Sequence, residues 1–191
     1  YLRFNQSVAG SGDTYNIFLQ PIEDVTKLSG KTVALSFYAK ADSARNIETQ
    51  IIQNFGSGGS ETVYIGQVTH ALTTAWRLFT RTITLPSISG KTIGANNCTI
   101  LEFYAPLNTT FTFDIASVQL NYGSVALPFV PRSFADELRL CQRYAVALAS
   151  GGTIDGRMLY YTANNMVFFL PLPVTPRTNP TLIGAEGAGF S

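Results

Sequence analysis

Apolar and polar residues alternate one for one along stretch after stretch of this chain, and no other feature narrows the possible folds as far. In TVALSFYAKA (32–41), Val33, Leu35, Phe37 and Ala39 share one phase, and Ser36, Tyr38 and Lys40 take the other. CTILEFYA (98–105) sets Leu101, Phe103 and Ala105 against Ile100, Glu102 and Tyr104. TFTFDI (110–115) turns Phe111, Phe113 and Ile115 one way, and Thr112 and Asp114 the other. A period of two marks a strand with one buried face, because successive side chains of an extended chain leave on opposite sides. After Ile115 the phase slips, since the next apolar pair is Val118 and Leu120. One extra residue near Ala116–Ser117, a β-bulge, accounts for it.

Further strands are expected over 1–7, 15–22, 47–55, 62–72 and 76–85, with turn-forming clusters such as AGSGD (9–13), KLSGK (27–31) and PSISGK (86–91) between them. Pro21 and Pro86 are expected at strand ends, where a missing N–H is tolerated. About eight short antiparallel strands imply an all-β sandwich, most simply a jelly roll, over residues 1–131. In PRSFADELRLCQRY, Ser133 and Asp136 are spaced as a capping box, and Leu138, Cys141 and Tyr144 recur at helical spacing. A short helical connector is therefore expected over 132–149, packed on the sandwich and closing the first domain. SGGT (150–153) reads as a linker. Residues 150–191 read as the start of a β-rich C-terminal domain that is cut short. Two or three strands cannot bury both faces alone and need further chain or a neighbouring chain.

QNFGSGGSE (53–61) sits between strand-like segments, with no following helix and no Lys-Ser/Thr pair. A phosphate cradle needs both features, so the stretch reads as a loop at one rim of the sandwich. Charged residues make up 13% of the 191, against about 25% in an average domain. Two readings fit: a surface partly covered by a partner, or a Thr/Ser/Asn-rich β-protein that is polar without being charged. The net charge of +1 leaves no footprint for nucleic acid, and no apolar run reaches the ~18 residues of a membrane span. Cys98 and Cys141 match no metal-ligand spacing and read as buried small hydrophobes.

No catalytic constellation is legible. The single His70 has no nucleophile or acid at motif spacing and reads as a polar strand histidine. Glu102 and Asp114 stand on consecutive strands and could face each other as hydrolytic carboxylates, but a hydrogen-bonded or cation-binding role suits them better. Arg81, in FTRTITL, falls in phase with Phe79, Ile83 and Leu85. Its guanidinium either pairs with a carboxylate such as Asp114, snorkels to an edge, or faces a ligand.

Five blocks occur in order: LQPIEDVTKLSGKTVALSFYAKAD, QNFGSGGSE, LTTAWRLFTRTITLPSISGKTIG, DIASVQLNYGSVALPF and ELRLCQRY. Together they resemble a region of bacteriophage tail fibre and related virion structural proteins, which is similar in turn to jelly-roll carbohydrate-binding modules. The resemblance covers about residues 1 to 145. It implies a homotrimeric protein on the phage tail or particle exterior, extracellular when mature. Its partners would be other virion proteins and a bacterial surface glycan, bound for host attachment without catalysis. A purely structural virion component (fibre shaft, adaptor or capsid-attached decoration) is the alternative, and a polysaccharide depolymerase a distant third. The resemblance implies no required cofactor beyond a structural calcium, for which Asp114 matches the acidic residue of the last core strand. It implies a core position for Trp76, while Arg81 departs from its usual apolar residue.

A sugar is recognised by aromatic faces laid on C–H patches and by amides or carboxylates that meet hydroxyls. Tyr38, Gln50, Asn54, Tyr64, Glu102 and Tyr104 are the outward-phase residues of those types, and Phe55 in the rim loop is a further anchor. The same residues could instead make an ordinary polar face, or one covered by another subunit.

Overall fold

The computed structural model describes residues 1–146, 157–162, 165–169, 172–177 and 179; the expected linker at 150–153 lies outside them. The chain divides into two units, Tyr1–Phe129 and Val130–Ser191. Among the described residues of the first unit, eight strands form β1 Leu2–Gln6, β2 Ile17–Glu23, β3 Thr32–Ala41, β4 Arg45–Asn54, β5 Val63–Leu72, β6 Arg77–Thr84, β7 Cys98–Tyr104 and β8 Phe111–Tyr122. They pair antiparallel in two four-stranded sheets, ordered β1-β8-β3-β6 and β2-β7-β4-β5. The sandwich read from the alternation is the fold of this unit.

The alternation translates directly into burial. Val33, Leu35, Phe37 and Ala39 of β3, Leu101 and Phe103 of β7, and Phe111, Phe113 and Ile115 of β8 are all buried. Their rings interlock: Phe103 stacks on Phe18 at 4.7 Å between centroids and meets Phe37 edge-on at 5.2 Å. Edge and offset contacts of this kind are the favoured aromatic geometries, and full burial of each such side chain stabilises by roughly 1.5–3 kcal/mol. The bulge also falls where the phase slip placed it. Ser36 pairs with Gln119 and Tyr38 with Ala116, so Phe37 faces both Ser117 and Val118. Ser117 takes up the extra residue with φ of 52°, in the left-handed region.

Two expectations need correction. Pro21 lies inside β2, paired with Ile100, and not at a strand end. β2 is an edge strand, whose outer row of backbone groups has no ladder to complete. Cys98 is half-buried and Cys141 exposed, so neither is the fully buried small residue expected.

His70 and Arg81 both point inward. His70 is buried across from Ile47, edge-on to Phe37 at 5.2 Å and to Phe79 at 5.5 Å, with Nε2 2.8 Å from Thr49 Oγ1. Burial, reinforced by the nearby Arg81 cation, holds its pKa below the usual histidine value. The unfolded chain therefore binds a proton near pH 6.5 that the folded chain still refuses, so stability falls as pH drops below that point. We expect stability to fall progressively as pH is lowered from about 7 through 6.5, the ordinary histidine value. Chemical denaturation across that range should show this slope in the wild type and a flatter one in His70→Gln.

Arg81 keeps the inward phase of β6, across from Leu35, and reaches the other sheet. Nη1 donates to the Thr49 carbonyl at 2.8 Å and to its hydroxyl at 3.3 Å, and Nη2 donates to the Gly66 carbonyl. These carbonyls flank a second bulge, where Gln50 of β4 faces both Gly66 and Gln67 of β5. Gly66 is needed there: its φ is 42°, and an added Cβ would come 3.0 Å from Arg81 Nη2. Arg81 is thus a strut between sheets, and Asp114 is not its partner.

The second unit contains α1 Phe134–Gln142, and β9 Arg157–Thr162 paired antiparallel with β10 Asn165–Phe169. The capping arrangement is as expected, with Ser133 Oγ accepting from the Asp136 N–H at 3.2 Å. None of the helix side chains is buried; Leu138 and, just beyond the helix, Tyr144 are exposed. Among the described residues no helix is long and apolar enough to cross a membrane.

Candidate functional site

In the β2-β7-β4-β5 sheet the residues opposite in phase to Ile47, Thr49, Ile51 and Gln53 face away from the core. The register puts Gln50 beside Glu102, Glu48 beside Tyr104 and Asn54 beside Cys98, with Ile52 next to Tyr64 on the far side. Five of the seven residues singled out by sequence, Gln50, Asn54, Tyr64, Glu102 and Tyr104, therefore share one outer face. Tyr104 organises its middle. Its hydroxyl stands 2.8 Å from Glu102 Oε2 and 2.9 Å from Gln50 Oε1, its one proton shared between the two acceptors. Burial, together with the bond to Glu102, pushes its pKa up to about 12, so the phenol stays protonated at any physiological pH.

Next to Tyr104 the face opens into a groove of about 490 Å³. Tyr15 and Asn16 come from the segment ahead of β2, Asn46 and Glu48 from β4, Gln67 from β5, and Pro106 and Leu107 from the loop after β7. The polar groups are held in place. Glu48 accepts from Gln67 Nε2 and, at 3.2 Å, from Thr69 Oγ1, while Asn16 Nδ2 donates to the Pro106 carbonyl at 3.3 Å. Tyr15 is 71% exposed and presents a ring at the rim. Among the described residues, rings, amides and one carboxylate line the groove, and Lys, Arg and His do not. Side chains of these types can lie on C–H patches and meet hydroxyl groups.

Sequence reasoning missed Tyr15, Asn46, Glu48 and Gln67. The phase that selected Gln50 also selects Asn46 and Glu48, so the signal for those two was present. Gln67 was hidden by the bulge at Gly66, and Tyr15 lies at the edge of its strand-like run, where phase says little.

Four expected placements are revised. Tyr38 lies on β3, in the other sheet, and so on the opposite side of the sandwich from Tyr104. Outward phase tells only that a residue leaves the core, and a sandwich has two such faces. Phe55 is 1% exposed and cannot anchor a ligand. Its loop is stapled to the 92–97 segment through Ser57 N–H to Ala95 O at 2.9 Å, Gly94 N–H to Phe55 O at 2.7 Å and Ser60 N–H to Thr92 O at 2.9 Å. Asn54 Oδ1 caps the Gly56 N–H at 2.8 Å. The glycine-rich stretch spends its backbone donors on the neighbouring loop and on this cap, which answers against a phosphate cradle.

Asp114 does not fit a calcium ligand. Arg3 Nε and Nη2 donate to its two oxygens at 2.7 and 3.0 Å, and Lys40 Nζ stands 3.7 Å away. The first strand thus supplies a cation where a metal site would need further oxygen donors. The described residues hold no group of three or more His, Cys, Asp or Glu placed for a metal. Arg3 above all, with Lys40, keeps the carboxyl below its usual pKa despite burial. Trp76, expected in the core, is 40% exposed, because it follows the outward phase at the start of β6.

Compared with known proteins, residues 3–96 match a family described as a carbohydrate binding domain. No curated protein sequence matches the chain. Among solved structures, one described as "CBM4 structure and function" is 28% identical, covering 63% of this chain and 70% of its own, with a TM-score of 0.48. The N-terminal cellulose-binding domain of Cellulomonas fimi β-1,4-glucanase C is 21% identical over 63% of this chain and 76% of that one, with a TM-score of 0.46. A family 30 carbohydrate-binding module of a Clostridium thermocellum cellulosomal cellulase is 13% identical over 62% and 72%, with a TM-score of 0.39.

Proposed function

We propose that this chain, whose first unit is a carbohydrate-binding-module-like jelly roll, binds a neutral glycan in the groove beside Tyr104 and does no chemistry on it. The observation that carries the reading is the groove's composition among the described residues: two tyrosines, three amides and a carboxylate, without a cation, with Asn16, Glu48, Gln67 and Tyr104 held by side-chain hydrogen bonds. The family match over residues 3–96 supports glycan binding as the activity. Hydrolysis is disfavoured by placement. Glu102 and Asp114 lie in different sheets on opposite sides of the sandwich and cannot flank one bond. Glu48 and Glu102, which do share a face, are each engaged by neighbouring side chains.

The setting we propose is the exterior of a phage particle, as a homotrimeric tail-fibre module attaching to a host surface glycan. Its support is the ordered set of sequence blocks that resemble virion proteins. Three weak sites on one fibre would multiply affinity through effective concentration. A structural virion component is the second reading, and α1 favours it: Phe134 and Leu138, one turn apart on the same face, are exposed on a helix with no buried residue, a surface suited to subunit contacts.

Calorimetric titration of the chain against bacterial surface polysaccharides and neutral oligosaccharides tests the proposal. Saturable binding to at least one, weakened about tenfold by Gln67→Ala with an unchanged melting curve, is the expected result. A folded chain that binds none of them at millimolar sugar moves the assignment to the structural reading.

A further inference from the structure

The outer face of the β1-β8-β3-β6 sheet carries a second aromatic cluster, with the opposite charge character. Trp76 immediately precedes Arg77, the partner of Ala39, and so comes beside Lys40, whose Nζ stands 5.3 Å from the ring centroid. Tyr1 meets Trp76 edge-on at 5.8 Å, and Arg3 lies 5.7 Å from the Tyr1 ring centre. Tyr38 and Leu78 are directly paired and extend the patch, 42% and 52% exposed. In the middle sits the Arg3–Asp114–Lys40 cluster. The carboxylate side chain is 4% exposed, against 55% for Arg3 and 32% for Lys40. Two cations therefore cover one carboxylate, and what meets solvent is positive charge framed by rings. The Asp114 contacts use Nε and Nη2 of Arg3, leaving its Nη1 donors uncommitted to that pair, and Lys40 offers three donors at a longer, looser contact.

We propose that this face is a second saccharide site, selective for sugars that carry a carboxylate. The rings of Trp76 and Tyr38 would take the C–H face of a pyranose, and Arg3 and Lys40 would take the uronate group by charge-assisted hydrogen bonds. The site does not depend on the groove, which lies on the other sheet and has Glu48 where this face has cations.

Trp76 is the chain's one tryptophan, so its fluorescence reports on this face alone. Titration of the intact chain with oligogalacturonate should produce a saturable change in that emission, and a neutral cello-oligosaccharide of equal length should not. The apparent Kd should rise several-fold as sodium chloride goes from about 50 to about 300 mM, and about tenfold in Lys40→Gln. Arg3 still pairs with Asp114 in that variant; Tyr38→Ala, which removes a ring of the patch and no charge, is an independent check and should also weaken binding. Tyr104→Ala should leave the titration unchanged. Silence at millimolar oligogalacturonate overturns the proposal. So does an equal response to the neutral sugar, or a response that persists in both Lys40→Gln and Tyr38→Ala. A response lost in Tyr104→Ala would place the acidic sugar in the groove and also overturn it.

Discussion

Phe37→Ala is expected to remove about 3–5 kcal/mol from the stability of the first unit and to lower its melting temperature by roughly 10 to 20 °C. Phe37 is 0% exposed and stands where the two sheets meet. It touches Phe103 of the opposite sheet edge-on, stacks on Phe79 of its own sheet at 5.4 Å, and closes over His70. It is also the residue across from the β8 bulge. The rings around it belong to strands whose backbones are held in hydrogen-bonded ladders, which favours the upper part of the range for a large-to-small change. Set against the 5–15 kcal/mol typical of a domain, the loss approaches unfolding. Thermal melting followed by circular dichroism checks it. A loss below about 1 kcal/mol would mean that the sheets do not pack through this ring. Phe37→Leu should recover much of the stability, and below the melting transition neither change should alter glycan affinity.

Tyr104→Ala should cost about 2 kcal/mol of glycan affinity, roughly 30-fold in Kd, measured by calorimetry on the best ligand of the panel. The substitution removes a ring bordering the groove and the phenol that binds Glu102 and Gln50 together. Tyr104→Phe separates the two contributions: it keeps the ring and loses only the hydroxyl, at a cost of about 1 kcal/mol. With the phenol pKa near 12, Tyr104 contributes no pH dependence to binding between about pH 7 and 10. An alanine variant that binds within twofold of wild type would take Tyr104 out of the site.

Local alternation made the core readable because it records the one thing each strand experiences by itself, a wet side and a dry side. Val33 through Ala39, and Phe111 through Ile115, were assigned correctly on that ground, and even the bulge at Ser117–Val118 appears as a break in phase. Which sheet a strand joins is a pairing decision made with residues some tens of positions away, and period-two patterning is blind to it. That is why Tyr38 was grouped with Gln50 and Tyr104. Phe55 was misread for a similar reason: its burial is created by the 92–97 segment folding over it, nearly 40 residues downstream. Arg81 lay on the apolar phase as its position required, but the carbonyls it serves exist only because β5 bulges at Gly66. The groove was half legible. Gln50, Glu102 and Tyr104 stand on its face, whereas Gln67 reaches it only by that same irregularity.

The pairing of β1 with β8 gives the first unit a mechanical character. Leu2 lies beside Ile115 and Gln6 beside Phe111, so the start of the first strand and the continuation of the last point the same way. Tension applied through the two ends of the unit would therefore not shear this five-residue edge as a block. It would peel β1 away, loading its hydrogen bonds one after another from the Leu2 end. The first ion pair to meet that load is Arg3 on Asp114, clamped from β3 by Lys40. A saccharide held across those two cations would straddle the seam, so that occupancy of the surface and resistance to pulling become one property of the same strand edge.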